Sequence, residues 1–217
     1  MAAGRRQDVT TPPHPITEND CRLWETIASS GRGFAEFLLN NENIEPDSKD
    51  ADGRTLLHLA TEKGNHEVVD LLLGRDDVGV NSKDNKGWIS LSLAAEKGHE
   101  RIVELLLRTN AVDLNSKDNN SQTSLSLAAK KGRDVVVRLL LDKGAKLESE
   151  DNTGQTPLSL AVEYEKEKVV EILLERGAKV DSGDVAGWMP LHWRWRGCYL
   201  IKTPTSSTPS LRTALHR

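Results

Sequence analysis

The sequence has little cysteine, few aromatic residues and no long apolar segment. Two of its 217 residues are cysteine and 4% are aromatic. No stretch approaches the roughly 20 apolar residues that span a bilayer, and Met1–Arg6 lacks the apolar run of a signal peptide. We therefore expect no membrane association. Cys21 and Cys198 lie near opposite ends of the chain, so we expect two reduced thiols and a cytoplasmic or nuclear location.

Motifs that bind phosphate or metal are also missing. The sequence contains no Gly-x-Gly-x-x-Gly loop, no Gly-x-x-x-x-Gly-Lys-Ser/Thr loop, no His-Glu-x-x-His and no paired-cysteine pattern. We expect no catalytic residue, no metal, no cofactor and no small-molecule substrate. Zinc, magnesium, calcium and nucleotides should accordingly leave the unfolding temperature unchanged, because a ligand at 100 times its dissociation constant would add about 2.7 kcal/mol. A shift of several degrees would contradict this expectation.

The charge is slightly acidic and unevenly distributed. The formal net charge is −4. Residues 1–49 carry 5 basic and 8 acidic side chains, residues 50–187 carry 19 and 25, and residues 188–217 carry 5 and none. The central part is mildly acidic with both signs interspersed, which argues against the clustered basic surface of a nucleic-acid-binding protein.

An aspartate that opens a polar turn recurs at a nearly constant interval. It occurs at Asp50, Asp84, Asp118, Asp151 and Asp184, in steps of 34, 34, 33 and 33 residues. Self-similarity at this period is typical of a solenoid, in which each repeat buries its apolar face against the next. The period therefore predicts one continuous array rather than a single globular domain.

Each repeat combines the same local patterns. An Asp-x-x-Gly turn, as in Asp84–Gly87, supplies residues that tolerate the positive φ of a tight hairpin. A short apolar helix with central alanines follows and ends at a glycine such as Gly98, which suits a left-handed helix end. A second helix carries an apolar stripe, as in Ile102–Leu107. Neither helix is long enough to be stable alone in water, so each must pack against its neighbours.

These residues resemble ankyrin repeats. The family's Thr-Pro-Leu-His motif survives in part as Thr156–Leu158, as Thr55-Leu-Leu-His58 and as Pro190–His192. The resemblance covers roughly residues 21–193. It implies an all-α fold, an ankyrin-type α-solenoid of stacked helix-turn-helix units with β-hairpin turns. It also implies a protein–protein interaction module that binds a partner protein through a concave face of hairpin tips and inner helices. The alternative is a regulatory or targeting segment of a larger multidomain enzyme.

The array has irregular ends. We expect a flexible leader at 1–20, a degenerate N-terminal cap repeat at 21–49, full repeats at 50–83, 84–117, 118–150 and 151–183, a truncated repeat at 184–193, and a basic, disordered tail at 194–217. Arg194 replaces the alanine of the other repeats, and a guanidinium cannot be buried there without a partner. Trypsin should therefore cut first at Arg194, Arg196 or Lys202. The Thr-Pro pairs of the tail fit either phosphorylation sites or a polar tail.

Several repeats depart from the pattern. Ile89 cannot cap its helix with a side-chain acceptor, although Ser90 could move the cap by one residue, and a lost cap costs about 1 kcal/mol. Ser121 replaces a turn glycine. Glu165 replaces a helix-ending glycine, which predicts an unfavourable backbone position that costs about 1 kcal/mol. His58 is interpreted as part of a local hydrogen-bond network with Thr55 rather than as a metal ligand or base.

By analogy with the family, three kinds of position should contact a partner protein: the two residues after each opening aspartate, the residue after each turn glycine, and the pair before each helix-ending glycine. The candidates are Asp52, Arg54, Glu62, Lys63, Asn85, Lys86, Trp88, Glu96, Lys97, Asn119, Asn120, Gln122, Lys130, Lys131, Asn152, Thr153, Gln155, Tyr164 and Trp188. Trp88 stands out, because an exposed aromatic on a recognition face is often a binding hot spot. It could equally cover its neighbouring hairpin.

Overall fold

The computed structural model describes residues 18–41 and 45–180. These residues form ten helices and no strand. The helices are α1 (Glu18–Ser29), α2 (Arg32–Asn41), α3 (Leu56–Glu62), α4 (His66–Leu73), α5 (Ser90–Lys97), α6 (Glu100–Arg108), α7 (Ser124–Lys131), α8 (Asp134–Asp142), α9 (Pro157–Glu163) and α10 (Glu167–Glu175). The predicted truncated repeat and tail, with their tryptic sites, lie outside the described residues, as does most of the predicted leader.

The helices form five pairs that stack in two layers. The odd-numbered helices pack in chain order from α1 to α9, and the even-numbered helices pack in chain order from α2 to α10. Within each pair the two helices also contact each other. We call the odd-numbered helices the inner layer and the even-numbered helices the outer layer. This arrangement confirms the predicted all-α repeat solenoid.

The core lies between the layers and runs through every repeat. Apolar side chains at matching repeat positions are buried in one continuous cluster. In the inner layer an alanine recurs at one position and is fully buried each time, at Ala60, Ala94, Ala128 and Ala161. A side chain this small lets consecutive inner helices approach closely, since protein interiors are densely packed.

Left-handed backbone occurs where the sequence predicts it. Gly98 has φ 81° and ends α5, and a Cβ there would lie 2.7 Å from Cδ of Arg133, which packs over it from the next repeat. Ser121 and Glu165 replace glycines at equivalent positions and adopt φ 61° and 54°. Both predictions are confirmed, and both side chains are held in a region that disfavours residues with a Cβ.

The helix caps follow the sequence with one exception. Thr123 and Thr156 cap α7 and α9, where each hydroxyl accepts an N–H at 3.3 Å. Ile89 occupies the same position before α5 and provides no side-chain cap. The suggestion that Ser90 takes over the cap is wrong, because its buried hydroxyl has no hydrogen-bond partner within the described part of the chain.

The first helix pair exposes apolar side chains on its outer helix. Phe34 is 51% exposed and Phe37 is 58% exposed. At the repeat position of Phe34, the later repeats bury Val68, Ile102, Val136 and Val169 almost completely. The terminal repeats of solenoids commonly have a polar outer face, and these phenylalanines do not fit that pattern.

Candidate functional site

The opening aspartate organises each turn through one carboxylate oxygen. Oδ1 of Asp118 accepts the backbone N–H groups of Asn120 and Gln122, both at 2.8 Å. Asp151 makes the same pair of bonds to Thr153 and Gln155. Burial opposes ionisation of Asp151, but the hydrogen bonds that it accepts from the Thr153 hydroxyl, from these two backbone N–H groups and from Gln122 outweigh it and hold the pKa of Asp151 below its ordinary value. These hydrogen bonds therefore hold the backbone of each turn in one conformation and fix the position of the residues at its tip.

The second carboxylate oxygen of these aspartates connects neighbouring repeats. The indole N–H of Trp88 donates to Oδ2 of Asp118 at 2.9 Å, and the side-chain amide of Gln122 donates to Oδ2 of Asp151 at 3.2 Å. The residue after the turn glycine thus tethers its hairpin to the next one. Gln122 is buried by this contact, so the expectation that it lies on a surface open to a partner is corrected.

We number the repeats from the cap repeat, so that the full repeats are two (50–83), three (84–117), four (118–150) and five (151–183). In repeats two and five the residue after the glycine bonds within its own repeat instead. Arg54 donates to Glu62 at 3.2 Å, and Gln155 donates to Glu163 at 2.7 Å. Arg54 also forms ion pairs with Asp50 and Asp52. This repeat position therefore holds the hairpin against the inner helix or against the following hairpin, according to the side chain present.

The hairpins are joined by a ladder of asparagines. The side-chain amides of Asn85, Asn119 and Asn152 donate to the backbone carbonyls of Ala51, Asn85 and Asn119, at 2.9–3.1 Å. The backbone N–H of each asparagine also donates to the preceding hairpin. These predicted partner-binding asparagines thus use their amide N–H groups within the array.

A lysine ladder runs in the opposite direction. The ammonium groups of Lys49, Lys83 and Lys117 donate to the carbonyls of Lys83, Lys117 and Glu150 at 2.7–2.8 Å. A third ladder uses the side chains of Asp47, Asn81, Asn115 and Glu148, each of which accepts a backbone N–H from the next repeat. We did not predict any of these ladders. The recurrence of Lys and Asn in phase with the repeats was the signal available.

The inner-helix ends present cations beside an aromatic ring. Lys131 pairs with Glu96 of the preceding repeat at 3.2 Å. The ammonium of Lys130 lies 5.0 Å from the ring centre of Tyr164, which is 41% exposed. In the hairpin of repeat three, Lys86 lies 5.6 Å from the ring centre of Trp88. Such cation–π contacts keep each cation and its aromatic ring close together.

Most of the predicted contact residues are accessible. Trp88 is half-buried, so its exposed fraction agrees with the sequence argument, while its bonded N–H agrees with a packing role. The exposed set is Asp52, Lys63, Asn85, Lys86, Lys97, Asn119, Asn120, Lys131, Asn152, Thr153 and Tyr164. The half-buried set adds Arg54, Glu62, Glu96, Lys130 and Gln155. Trp188 lies outside the described residues.

His58 links repeat two to repeat three. Its ring is buried, and Nε2 lies 3.0 Å from the carbonyl oxygen of Trp88, so Nε2 carries the proton and donates it. Nδ1 then accepts from the backbone N–H and the hydroxyl of Thr55, at 3.2 and 2.9 Å. Burial lowers the pKa of His58. All of its contacts are structural, in agreement with the sequence interpretation.

The described residues offer neither a metal site nor a membrane-spanning helix. Within residues 18–41 and 45–180, no cluster of three or more His, Cys, Asp or Glu side chains is placed to hold a metal ion. Over the same residues, no helix has the length and apolar character needed to cross a membrane.

The stacked helix pairs and hydrogen-bonded turns define a repeat protein of the α-solenoid class. A family model described as Ankyrin repeats (3 copies) matches residues 26–118 and 91–184. The chain therefore belongs to the ankyrin repeat family. A search of curated proteins found no match. Ankyrin repeats are generally protein–protein interaction modules and are typically not catalytic.

Proposed function

We propose that the chain binds a partner protein through the concave face, which consists of the hairpin tips and the exposed ends of the inner helices in repeats two to five. Side chains on this face recognise the partner, and the ladders of hydrogen bonds beneath them support the turns. Binding requires no chemical reaction, no cofactor and no nucleic acid.

The observation that carries the proposal is the pair of aromatic residues beside lysines on this face. Trp88 with Lys86 lies in repeat three, and Tyr164 with Lys130 joins repeats four and five. Aromatic side chains are enriched among the residues that dominate binding energy. Lys97, Lys131 and the asparagines of the tips are exposed polar residues of the same repeats, which fits a hydrophobic anchor within a polar rim.

The proposal is tested with Tyr164→Ala in the full chain used as bait for affinity purification and mass spectrometry. Val135→Ala is the matched control, because Val135 is also 41% exposed but lies on α8 of the outer layer. Proteins that bind the unchanged chain and the Val135→Ala chain, but not the Tyr164→Ala chain, are the expected result. Circular dichroism should show that both variants stay folded.

Two outcomes would contradict the proposal. One is equal loss of the same proteins by both variants, which would place recognition on the outer layer or attribute it to reduced stability. The other is unchanged binding by Tyr164→Ala and by the double variant Lys86→Ala/Lys130→Ala, which would exclude the concave face.

A further inference from the structure

Within the described residues, no hairpin lies in front of the first hairpin of the array, residues 50–53. In each later hairpin the residue after the opening aspartate donates its backbone N–H to the hairpin before, and the N···O distances are 2.9–3.0 Å. The donors are Asn85, Asn119 and Asn152. Ala51 occupies the equivalent position, and its N–H has no acceptor among the described residues. The ladder thus ends on an unpaired backbone N–H, the kind of group that pairs with added extended chain at the edge of a sheet.

A pocket of about 150 Å³ lies at this edge, between α1 and the first hairpin. Its floor is apolar, because it includes Trp24 and Leu59, whose side chains are otherwise buried. The volume exceeds the space of a single water molecule, so a side chain can enter. The lining is completed by Glu25, Asp50, Ala51, Asp52 and Arg54.

The charges at the pocket favour a cation. Glu25, Asp50 and Asp52 contribute three negative charges against the single positive charge of Arg54, a formal balance of −2. Arg54 forms ion pairs with Asp50 at 2.9 Å and with Asp52 at 3.1 Å. The side chain of Asp52 nevertheless remains 71% exposed, and Glu25 is exposed.

Two of the three later hairpins show which group can contact the opening aspartate from the preceding hairpin. Oδ2 of Asp118 and Oδ2 of Asp151 each accept an N–H from a side chain of the preceding hairpin. No hairpin precedes Asp50 in the described part of the chain, and Arg54 of its own repeat occupies its Oδ2 instead. A ligand that supplies a carbonyl for Ala51 would therefore complete the backbone pattern of the array, and the carboxylates of Glu25 and Asp52 beside it would attract a basic side chain.

We propose that this edge binds an extended segment of a partner protein that carries a lysine or arginine side chain. A backbone carbonyl of the segment accepts the N–H of Ala51, as in strand addition to an open edge. The aliphatic part of the basic side chain lies over Trp24 and Leu59, and its charge faces Glu25 and Asp52. The inference rests on the proposed function only in that the ligand is a protein, since the edge is distinct from the site at Tyr164.

The test uses the full chain labelled with ¹⁵N and a capped pentapeptide, Ac-Ser-Val-Arg-Val-Ser-amide, followed by NMR. A second peptide carries citrulline, which has nearly the same shape as arginine but no charge. The expected result is a saturable shift of the Ala51 amide and the Trp24 indole signals, with at least fivefold weaker binding of the citrulline peptide. Shifts confined to repeats three to five would overturn the proposal.

Two variants separate the backbone contact from the charge. Ala51→Pro removes the N–H, and the position accepts proline because the turn has its positive φ only at Gly53, which fits a type I turn with proline at its second residue. Glu25→Gln/Asp52→Asn removes two charges. Each should weaken arginine-peptide binding at least fivefold. The control Asp76→Asn/Glu171→Gln removes two exposed charges elsewhere and should have no effect.

The remaining outcomes are equally decisive. Equal weakening by the control would show that the attraction is only long-range, and the proposal fails. If Arg5→Ala/Arg6→Ala tightens peptide binding and shifts Ala51 in the free protein, the occupant is the N-terminal segment of this chain rather than a partner. If the arginine peptide does not shift the Ala51 amide signal, but Tyr164→Ala still loses its partner proteins, this inference is rejected and the proposed function stands.

Discussion

Replacement of His58 by serine tests how one side chain joins two repeats. The change is conservative within this chain, because Ser126 and Ser159 occupy the equivalent positions and lie 3.1–3.2 Å from the threonine hydroxyls of their caps. His58→Ser can keep the contact with Thr55 but loses the bond to the carbonyl of Trp88. The carbonyl of Trp88 keeps the backbone N–H of Asp84 as a donor at 2.9 Å, so the lost hydrogen bond costs about 1 kcal/mol, and loss of the buried ring adds a cavity. We expect unfolding free energy near pH 7.5 to fall by about 2–3 kcal/mol.

The pH dependence gives a second and sharper readout. Burial lowers the pKa of His58 in the folded state, so the unfolded chain binds a proton first as the pH falls below about 6.5. Above that pH the neutral ring makes its full contribution to the free energy of unfolding. Below it this contribution falls by up to about 1.4 kcal/mol per pH unit, until the folded-state pKa is reached. The difference between the unchanged chain and His58→Ser should therefore narrow from pH 6.5 towards pH 5.

The measurement is urea unfolding followed by circular dichroism at half-unit steps from pH 5 to pH 8. The other five histidines are present in both proteins, so their titration cancels in the difference when they are independent of His58. A difference that stays constant, or that widens as the solution becomes more acidic, would refute the argument. It would mean that His58 is not held neutral by its surroundings.

Three further substitutions follow from the backbone and polar contacts. Glu165→Gly should raise unfolding free energy by about 1 kcal/mol, because φ of 54° suits glycine, and an unchanged or lower urea midpoint would contradict this. Ser90→Ala should raise it by up to about 1 kcal/mol, since the buried hydroxyl has no partner in the described residues; a loss would mean that the hydroxyl is bonded in solution. Trp88→Phe keeps an aromatic ring but removes the donor to Asp118, and should lower stability by about 1–2 kcal/mol. If partner binding falls at least tenfold while the urea midpoint is unchanged, Trp88 acts in recognition instead.

The helices and their order could be predicted because period and composition act on every repeat at once. Apolar stripes at helical spacing must be buried, and a repeat of 33–34 residues leaves stacking as the way to bury them. The unusual backbone at Ser121 and Glu165 was also predictable, since their alignment with glycines identifies the required φ. These inferences depend only on local chain geometry and on periodicity.

The candidate site was harder to predict because side chains at matching positions choose different partners. Arg54 and Gln122 share a repeat position, yet one bonds within its repeat and the other is buried against Asp151. Ser90 looked able to cap a helix, but the backbone keeps Ile89 at the cap. Such choices depend on distances between repeats, which a sequence pattern does not contain.

The ladders have a consequence for how the chain responds to force. Their bonds join each repeat to an adjacent repeat, so tension applied to the two ends of the array loads the junctions in series. When one repeat unfolds, it releases a segment of 34 residues, which is roughly 115 Å of extended chain. In an optical trap the array should therefore lengthen in steps of similar size, and the junction at which the first step occurs identifies the weakest boundary between repeats.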